Sequence, residues 1–477
     1  MPGNRRRLEF LSEEDLDRIE ETAYRLLDEV GISLQHTTAT EMLFGRSCRV
    51  DRGRVFIPPH VVQWALQTVR AHRKVYTLDG SPAFVFGDGQ VRFHNGGGPP
   101  FVYDMDTGDR RPAVLQDVAD MARLLDALPN VDVVIPLFGP QDVAPELLVV
   151  ASTEALLRHT RKPVSSAAVE KPEQVPLVVE MAAACAGGME AFRQRPTMSI
   201  SVSPVSPLTF THDVTACILA VAQSGAPFHS LPAPSLGATG PITLAGALAQ
   251  QHAEVLTSFV LAACAQPGAP VLYCSRINPI DLRTATSQWG GPEVGIAGAC
   301  AGQLAHRLGL PCDSYGLSTS SGFLDPQFAY ERLTNALIPA QAGVEILSGV
   351  GTIDSGLAGG FEIAVIDDEM IGLMRHTLAG FQVSDETLAF DVIREVTNRD
   401  GVFLGERHTV REMRRGALWV PGVSERSSGE ERVGVVARAR ARARDLLRRH
   451  EVAPLPDDVS RHLSATVDKA RRELVKA

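Results

Sequence analysis

Short apolar runs recur through the middle of this chain at an interval that belongs to parallel α/β folds. They begin near Val131 (VDVVIPLF), Lys162 (KPVSSAAV), Thr197 (TMSISVSPV), Ala226 (APFHSLPAP), Ala269 (APVLYCS), Pro311 (PCDSYG) and Val344 (VEILSGV). Successive starts lie roughly 30–43 residues apart, and a longer helical pattern follows each run, as at 243–265 and 361–378. A strand, a loop and a helix at that period mean parallel strands joined by crossover helices. Seven such units favour an α/β fold of the closed (β/α)8 TIM type over an open doubly wound sheet. The eighth strand has no evident run of its own.

The same pattern divides the chain into an N-terminal helical extension (1–88), the barrel as catalytic domain (89–385) and a mostly helical C-terminal extension (386–477). Ser12 with Asp15 starts a helix whose apolar residues Leu16, Ile19, Ala23, Leu26 and Leu27 recur at helical spacing. Between Tyr76 and Thr107 the texture turns to short β-like runs broken by glycine. Near the end, the basic run 433–449 reads as a solvated helix face. In a barrel, chemistry sits in the loops after the strand C-terminal ends, and here those loops are dense in Ser, Thr, Gly and Pro.

Composition excludes several classes. With 44% hydrophobic and 21% charged residues the chain buries too much apolar surface to be disordered. Its apolar runs, such as 131–138, are too short to span a bilayer. A net charge of −10 argues against nucleic acid. The basic start through Arg7 has no apolar stretch behind it, so it is not a secretory signal. The seven cysteines are odd in number and lack a Cys-x-x-Cys pair, which points to free thiols in a reducing cytoplasm.

Generic catalytic motifs are absent from the sequence. It has no Walker A run, and Gly96-Gly97-Gly98 is followed by two prolines, so it cannot open a Rossmann helix. There is no Gly-x-Ser-x-Gly elbow. The 13 histidines show no compact ligand spacing, so no metal is assigned. Lys162 lies at a strand start, away from the active face, which disfavours a lysine-dependent barrel lyase.

A series of segments carries a resemblance. Asp104-Met105-Asp106-Thr107-Gly108-Asp109-Arg110-Arg111-Pro112 with Asp117 and 123–130 (RLLDALPN) is followed by 237–246 (GATGPITLAG) with Ala253-Glu254, and then by 267–271 (PGAPV). Asp281-Leu282-Arg283-Thr284, Asp325-Pro326-Gln327 with Tyr330-Glu331, and Asp367-Asp368-Glu369 complete it. In this order the series resembles the trimethylamine methyltransferase family from about residue 10 to about residue 470. The resemblance implies a (β/α)8 barrel that moves a methyl group from a methylated amine to the cobalt(I) of a separate corrinoid protein. It implies no tightly bound cofactor, the corrinoid being supplied by the partner, and by family analogy a homo-oligomer. Trimethylamine enzymes of the family carry pyrrolysine near the segment matching 316–327. This chain has GLSTSSGFLDPQ there, and so resembles the branch without pyrrolysine, which acts on quaternary amines such as glycine betaine.

A quaternary nitrogen already carries the charge that makes an amine a leaving group, so the site has only to orient one methyl and exclude water. Aromatic faces suit such a cation. Tyr103, Trp289 and Phe361 are the favoured cage residues, with Tyr330 next and Phe101, Tyr273 and Phe323 behind them. A betaine carboxylate needs donors, for which Asn95, Arg276, Asn278, Arg283 and His376 stand near loop ends or on the following helix. Glu254, mid-helix, reads as structural. A catalytically silent betaine-binding or sensing protein on the same barrel is the alternative.

Overall fold

The computed structural model describes residues 7–399, 401–425 and 433–475; the basic start ahead of Arg7 lies outside the described residues. Seven parallel strands form one path: β1 (Arg92–Asn95), β2 (Val164–Ser165), β3 (Met198–Val202), β4 (Phe228–Ser230), β5 (Pro270–Ser275), β6 (Cys312–Tyr315) and β7 (Ile346–Val350), in the order β2-β3-β4-β5-β6-β7-β1. Residues 133 and 134 join its two ends. Val133 bridges His94 of β1 and Val134 bridges Val164 of β2, both parallel. The ring is thereby closed with eight staves, and the stave the sequence pattern left unplaced is β1. Its residues, Arg-Phe-His-Asn, carry one apolar side chain in four, so no apolar run marks it.

Eight helices follow the staves in turn: α1 (Leu115–Ala127), α2 (Leu148–His159), α3 (Gln174–Cys185), α4 (His212–Ser224), α5 (Leu244–Ala265), α6 (Pro292–Arg307), α7 (Pro326–Ala342) and α8 (Phe361–Ala379). Strand side chains alternate, as the pleat requires. Val164, Ile200, Phe228, Val271, Cys312 and Leu347 belong to the large core beneath the helices. Their neighbours Ser165, Ser201, His229, Asp313 and Ser348 face the lumen. The strands therefore turn polar side chains into the lumen above its floor.

The N-terminal extension supplies that floor. Besides the helices Glu13–Arg25, Thr37–Phe44 and Pro59–Thr68 it contains short strands, of which Arg70–Ala71 pairs with the start of β5. The hairpin of Lys74–Tyr76 and Pro82–Val85 follows directly. Val75 and Phe86 there pack with Val133, Leu272, Cys274 and Ile346 from the staves, a separate apolar plug at the N-terminal end of the barrel.

Several acids that carry the family resemblance turn out to be staples. Asp367 forms a fully buried ion pair with Arg332, and its carboxylate also accepts the Gly351 N–H at 2.7 Å. Asp368 accepts from Asn130 N at 2.8 Å, and Glu369 from the backbone N–H groups of 422–424. Arg111 grips Asp117 with two bonds of 2.7 and 2.8 Å, and Asp117 caps the start of α1 through Val114 N. Glu254 accepts from Leu208 N, Ser206 Oγ and Gln250 Nε2, the structural role its position suggested. Gly349, at φ +116°, lets β7 pass under the following loop of β6, where an added Cβ would meet the Leu317 carbonyl at 2.1 Å.

In the C-terminal extension α9 (Val435–Arg449) lies along α8, and α10 (Asp457–Leu474) lies along α2 and α3. The basic face of α9 is only partly solvated. Arg440 pairs with Glu362 at 2.9 Å and Arg444 with Asp106 at 2.6 Å, while Ala439 and Ala443 are buried against the barrel. Among the described residues no helix is long and apolar enough to cross a membrane.

Candidate functional site

A cavity of about 670 Å³ opens at the C-terminal end of the barrel. Its lower wall is made by residues that the strands turn inward. On β6, Asp313 is buried and accepts from Arg276 Nη2 at 2.8 Å, and His94 Nε2 of β1 lies 3.4 Å from the same oxygen. Arg276, just past β5, also donates to the carbonyl of Ser275 at 2.8 Å. Burial alone would raise the Asp313 carboxyl; the Arg276 guanidinium, with His94 and His229, instead holds it well below the usual carboxylate range. His229 on β4 is pushed down to about 4 by burial and so is a neutral imidazole. Ser348 on β7 is buried with its Oγ unpartnered. The two buried charges cancel.

The upper wall is aromatic. The rings of Trp289 and Tyr315 stack at 4.4 Å between centroids, and the Arg276 guanidinium carbon lies 5.4 Å from the Tyr315 ring. Trp289 is placed by the loop after β6. Ser320 Oγ accepts the N–H groups of Trp289 and Gly290 at 3.1 and 2.9 Å, and Ser318 Oγ donates to the Trp289 carbonyl at 2.7 Å. Glu331 anchors that loop by accepting from Thr319 Oγ1 at 2.6 Å and Ser320 N at 2.9 Å. The hydroxyl-rich segment 316–327 thus holds a tryptophan at the mouth of the cavity.

Of the residues singled out from sequence, the structure gathers Trp289, Arg276 and Asn95 around this cavity. Asn95 is spent on the backbone, donating to Gly96 and Ile135 carbonyls and accepting from Ile135 N. Asn278 is buried beside the site and donates to the Arg276 carbonyl at 3.2 Å. The others lie elsewhere. Phe361 packs in the core against Phe138, and Phe101 lies beneath Arg110. The Tyr103 hydroxyl donates to the Gly322 carbonyl at 3.0 Å, outside the cavity wall. Tyr273 turns outward to His252. Tyr330 and Phe323 are 60% and 77% exposed, and Arg283, its side chain 90% exposed, pairs with Asp281. His376 falls near the C-terminal end of α8, at the far end of the barrel. Lys162 is also at that end, with its ammonium donating to the carbonyls of Leu125, Leu128 and Val131, so it closes a helix terminus rather than facing substrate.

The sequence reading missed His94, His229, Asp313, Tyr315 and Ser348. Four of them stood inside runs already identified as staves, and a polar residue interrupting an apolar strand was the available signal.

The fold and site define a closed parallel barrel with a small-molecule cavity at the strand C-termini. The chain belongs to the trimethylamine methyltransferase family, whose description, "Trimethylamine methyltransferase (MTTB)", matches residues 2–475. It is 31% identical over 469 residues to the trimethylamine methyltransferase MttB of Desulfitobacterium hafniense (strain DSM 10664 / DCB-2), covering 97% of this chain and 94% of that protein. Over 471 residues it is 28% identical to the glycine betaine methyltransferase of Desulfitobacterium hafniense (strain Y51), covering 98% of each. The crystal structure of the hydroxylamine MtmB complex shares the fold, with a TM-score of 0.52 at 14% identity over 98% of this chain and 89% of that one.

Proposed function

We propose that this protein transfers a methyl group from a quaternary amine of the betaine type to the cobalt(I) of a corrinoid protein. The observation that carries the reading is the pairing of an aromatic upper wall with a charge-balanced lower one. In the displacement, the cobalt(I) electron pair forms the new bond to the methyl carbon. The C–N electrons return to nitrogen, and a neutral tertiary amine leaves. No proton moves, so no general acid is required. An uncompensated anion beneath the ammonium would stabilise the ground state more than the transition state. The Arg276–Asp313 pair avoids this, while the Trp289 face offers a cation about 0.5–2 kcal/mol without a formal charge. The cavity, about 670 Å³ in volume, takes the rest of the substrate below its methyl groups, where Ser348 Oγ and the neutral His229 meet a polar tail. The corrinoid reaches the methyl from the mouth.

The supporting relatives act, by name, on trimethylamine and on glycine betaine. The choice of the quaternary amine rests on the standard residues at 316–327. The test is spectroscopic: the purified chain is mixed with free cob(I)alamin and each amine in turn, and methylcobalamin formation is followed. Methylation by glycine betaine or a related betaine, with none from trimethylamine, is the expected result. Methylation by trimethylamine alone would overturn the substrate assignment. Calorimetric binding of a betaine, with no transfer even to a corrinoid protein, would favour a sensing protein.

A further inference from the structure

The floor of the cavity holds a cluster whose thiol, Cys274, the proposed methyl transfer leaves unused. His229 on β4, Cys274 on β5 and Asp313 on β6 come from three neighbouring strands and are all buried. One donor atom from each lies within 4.8 Å of the others. The two oxygens of Asp313 are divided between tasks. Oδ1 accepts from Arg276 at 2.8 Å and has His94 Nε2 at 3.4 Å, whereas Oδ2 faces the Cys274 sulfur at 3.9 Å. His229 is backed in turn by His72, whose Nδ1 lies 3.4 Å from His229 Nε2. A sulfur, an imidazole and a carboxylate, two of them oriented from behind by polar partners, make up a three-ligand transition-metal site.

We propose that His229, Cys274 and Asp313 bind a borderline-soft divalent metal ion of the zinc class at the base of the cavity. The donors select the metal. Thiolate and imidazole favour zinc-like ions, whereas magnesium and calcium require a set of oxygens. In a tetrahedral zinc site the sulfur-to-oxygen edge is roughly 3.5 Å, so the 3.9 Å separation here closes by a few tenths of an ångström when the ion enters. The metal–sulfur bond forms as the S–H proton leaves to solvent; Asp313 enters as the carboxylate it already is.

Three protein ligands leave one tetrahedral position, and His229 and Asp313 both line the lumen, so that position opens into the cavity. With Arg276 offsetting one of the two anionic ligands, the occupied centre keeps one net positive charge. It therefore takes an anionic oxygen in preference to an amine, and on the betaine reading that oxygen is the substrate's carboxylate. The metal site itself does not depend on that reading. Ligand spacing could not reveal it in the sequence, because each ligand comes from a separate strand–helix unit.

The experiment strips the full-length protein with a chelator and titrates it with cobalt(II), whose bond to a thiolate gives charge-transfer absorption. Uptake of one cobalt per chain with that band, displaced by zinc, is the expected result. Cys274→Ser removes the band, and His229→Gln keeps it but weakens binding by roughly tenfold or more. Because either variant can fail to fold, zinc X-ray absorption of the unsubstituted protein gives a second readout, a single sulfur at about 2.3 Å. Three results would each overturn the proposal: no retained metal, an all-nitrogen-and-oxygen shell, or a charge-transfer band that survives Cys274→Ser in a folded variant. Methyl transfer is not read, so failure of the amine assay leaves the metal result standing.

Discussion

Both ends of the barrel bury charged groups, and they use them in opposite ways. At the N-terminal end Lys162 donates to three carbonyls around the end of α1, and Asp126 accepts from Thr160 Oγ1 and Arg161 N. Asp132 there takes Phe93 N at 2.8 Å and Arg375 at 2.6 Å. These groups close the gaps between helix ends and strand starts. At the C-terminal end Arg276 and Asp313 are paired, but Ser348 Oγ has no partner and His229 faces the lumen. Burial of charge therefore does not mark the site. Unused hydrogen-bonding capacity facing a cavity does.

Breaking the pair in the lower wall of the cavity has the largest expected effect. Arg276→Leu leaves the Asp313 carboxylate buried without its guanidinium, which costs about 3–5 kcal/mol. Urea unfolding of the variant measures it, and methyl transfer is lost as well. Adding Asp313→Leu recovers most of the stability, because no charge is then stranded, but does not restore transfer. Recovery of both would mean that the pair is only a staple, like those at the other end.

The second test uses the two histidines that link the floor to the hairpin beneath it. Burial depresses His72 to about 3 and His229 to about 4, both from an ordinary 6.5. The unfolded chain thus takes up protons near pH 6.5 while the folded one does not. Their contribution is complete above about 6.5 and drains away as pH falls through about 4 for His229 and about 3 for His72, a loss of several kcal/mol. Asp313, depressed by Arg276, gives up its share only below the carboxylate range. Denaturant midpoints across that interval check the slope, and His229→Gln flattens it.

Lys162→Met probes the opposite end. Three carbonyls lose a common donor, for a cost of about 1–3 kcal/mol. The transfer rate of the folded variant stays at the parental value, since the ammonium lies across the barrel from the cavity. A fall in rate without a fall in stability would revive a lysine mechanism.

How much of this was legible beforehand follows from the physics of the elements. Staves with apolar runs announced themselves, and the helices between them set the period. β1 did not, because a barrel strand needs only its helix-facing residues apolar and Phe93 alone supplies that here. At the site, Trp289 and Arg276 were legible because both sit in the loop after a recognisable strand. Phe323 and Arg283 were misleading for the same reason, and Tyr330, in the first turns of α7 beyond that loop, likewise. A loop position says that a side chain is near the mouth but not which way it turns, and these three turn to solvent. His94, His229 and Asp313 lie inside strands, where the alternation of the pleat, rather than any motif, directs them to the lumen. The acids of the recognisable family segments are stapling residues, so the strongest sequence signal marked architecture rather than chemistry.

The last comparison sets two aromatics of that kind against each other. Trp289 is held by Ser318 and Ser320 with its ring against Tyr315, and it lines the cavity. Tyr330 stands on α7 with 60% of its surface in solvent. Trp289→Ala removes the aromatic face and weakens quaternary amine binding by about 0.5–2 kcal/mol, read as a raised KM or a weaker calorimetric Kd. Its effect on stability is smaller than that of Arg276→Leu, because the ring is only partly buried and its loss strands no charge. Tyr330→Ala changes either quantity by no more than about 0.5 kcal/mol. If Tyr330→Ala weakens substrate binding as much as Trp289→Ala does, the substrate lies on the outer face of α7 and not in the lumen. The cage would then have to be rebuilt from the exposed residues, and the balanced Arg276–Asp313 pair would lose its place beneath the ammonium.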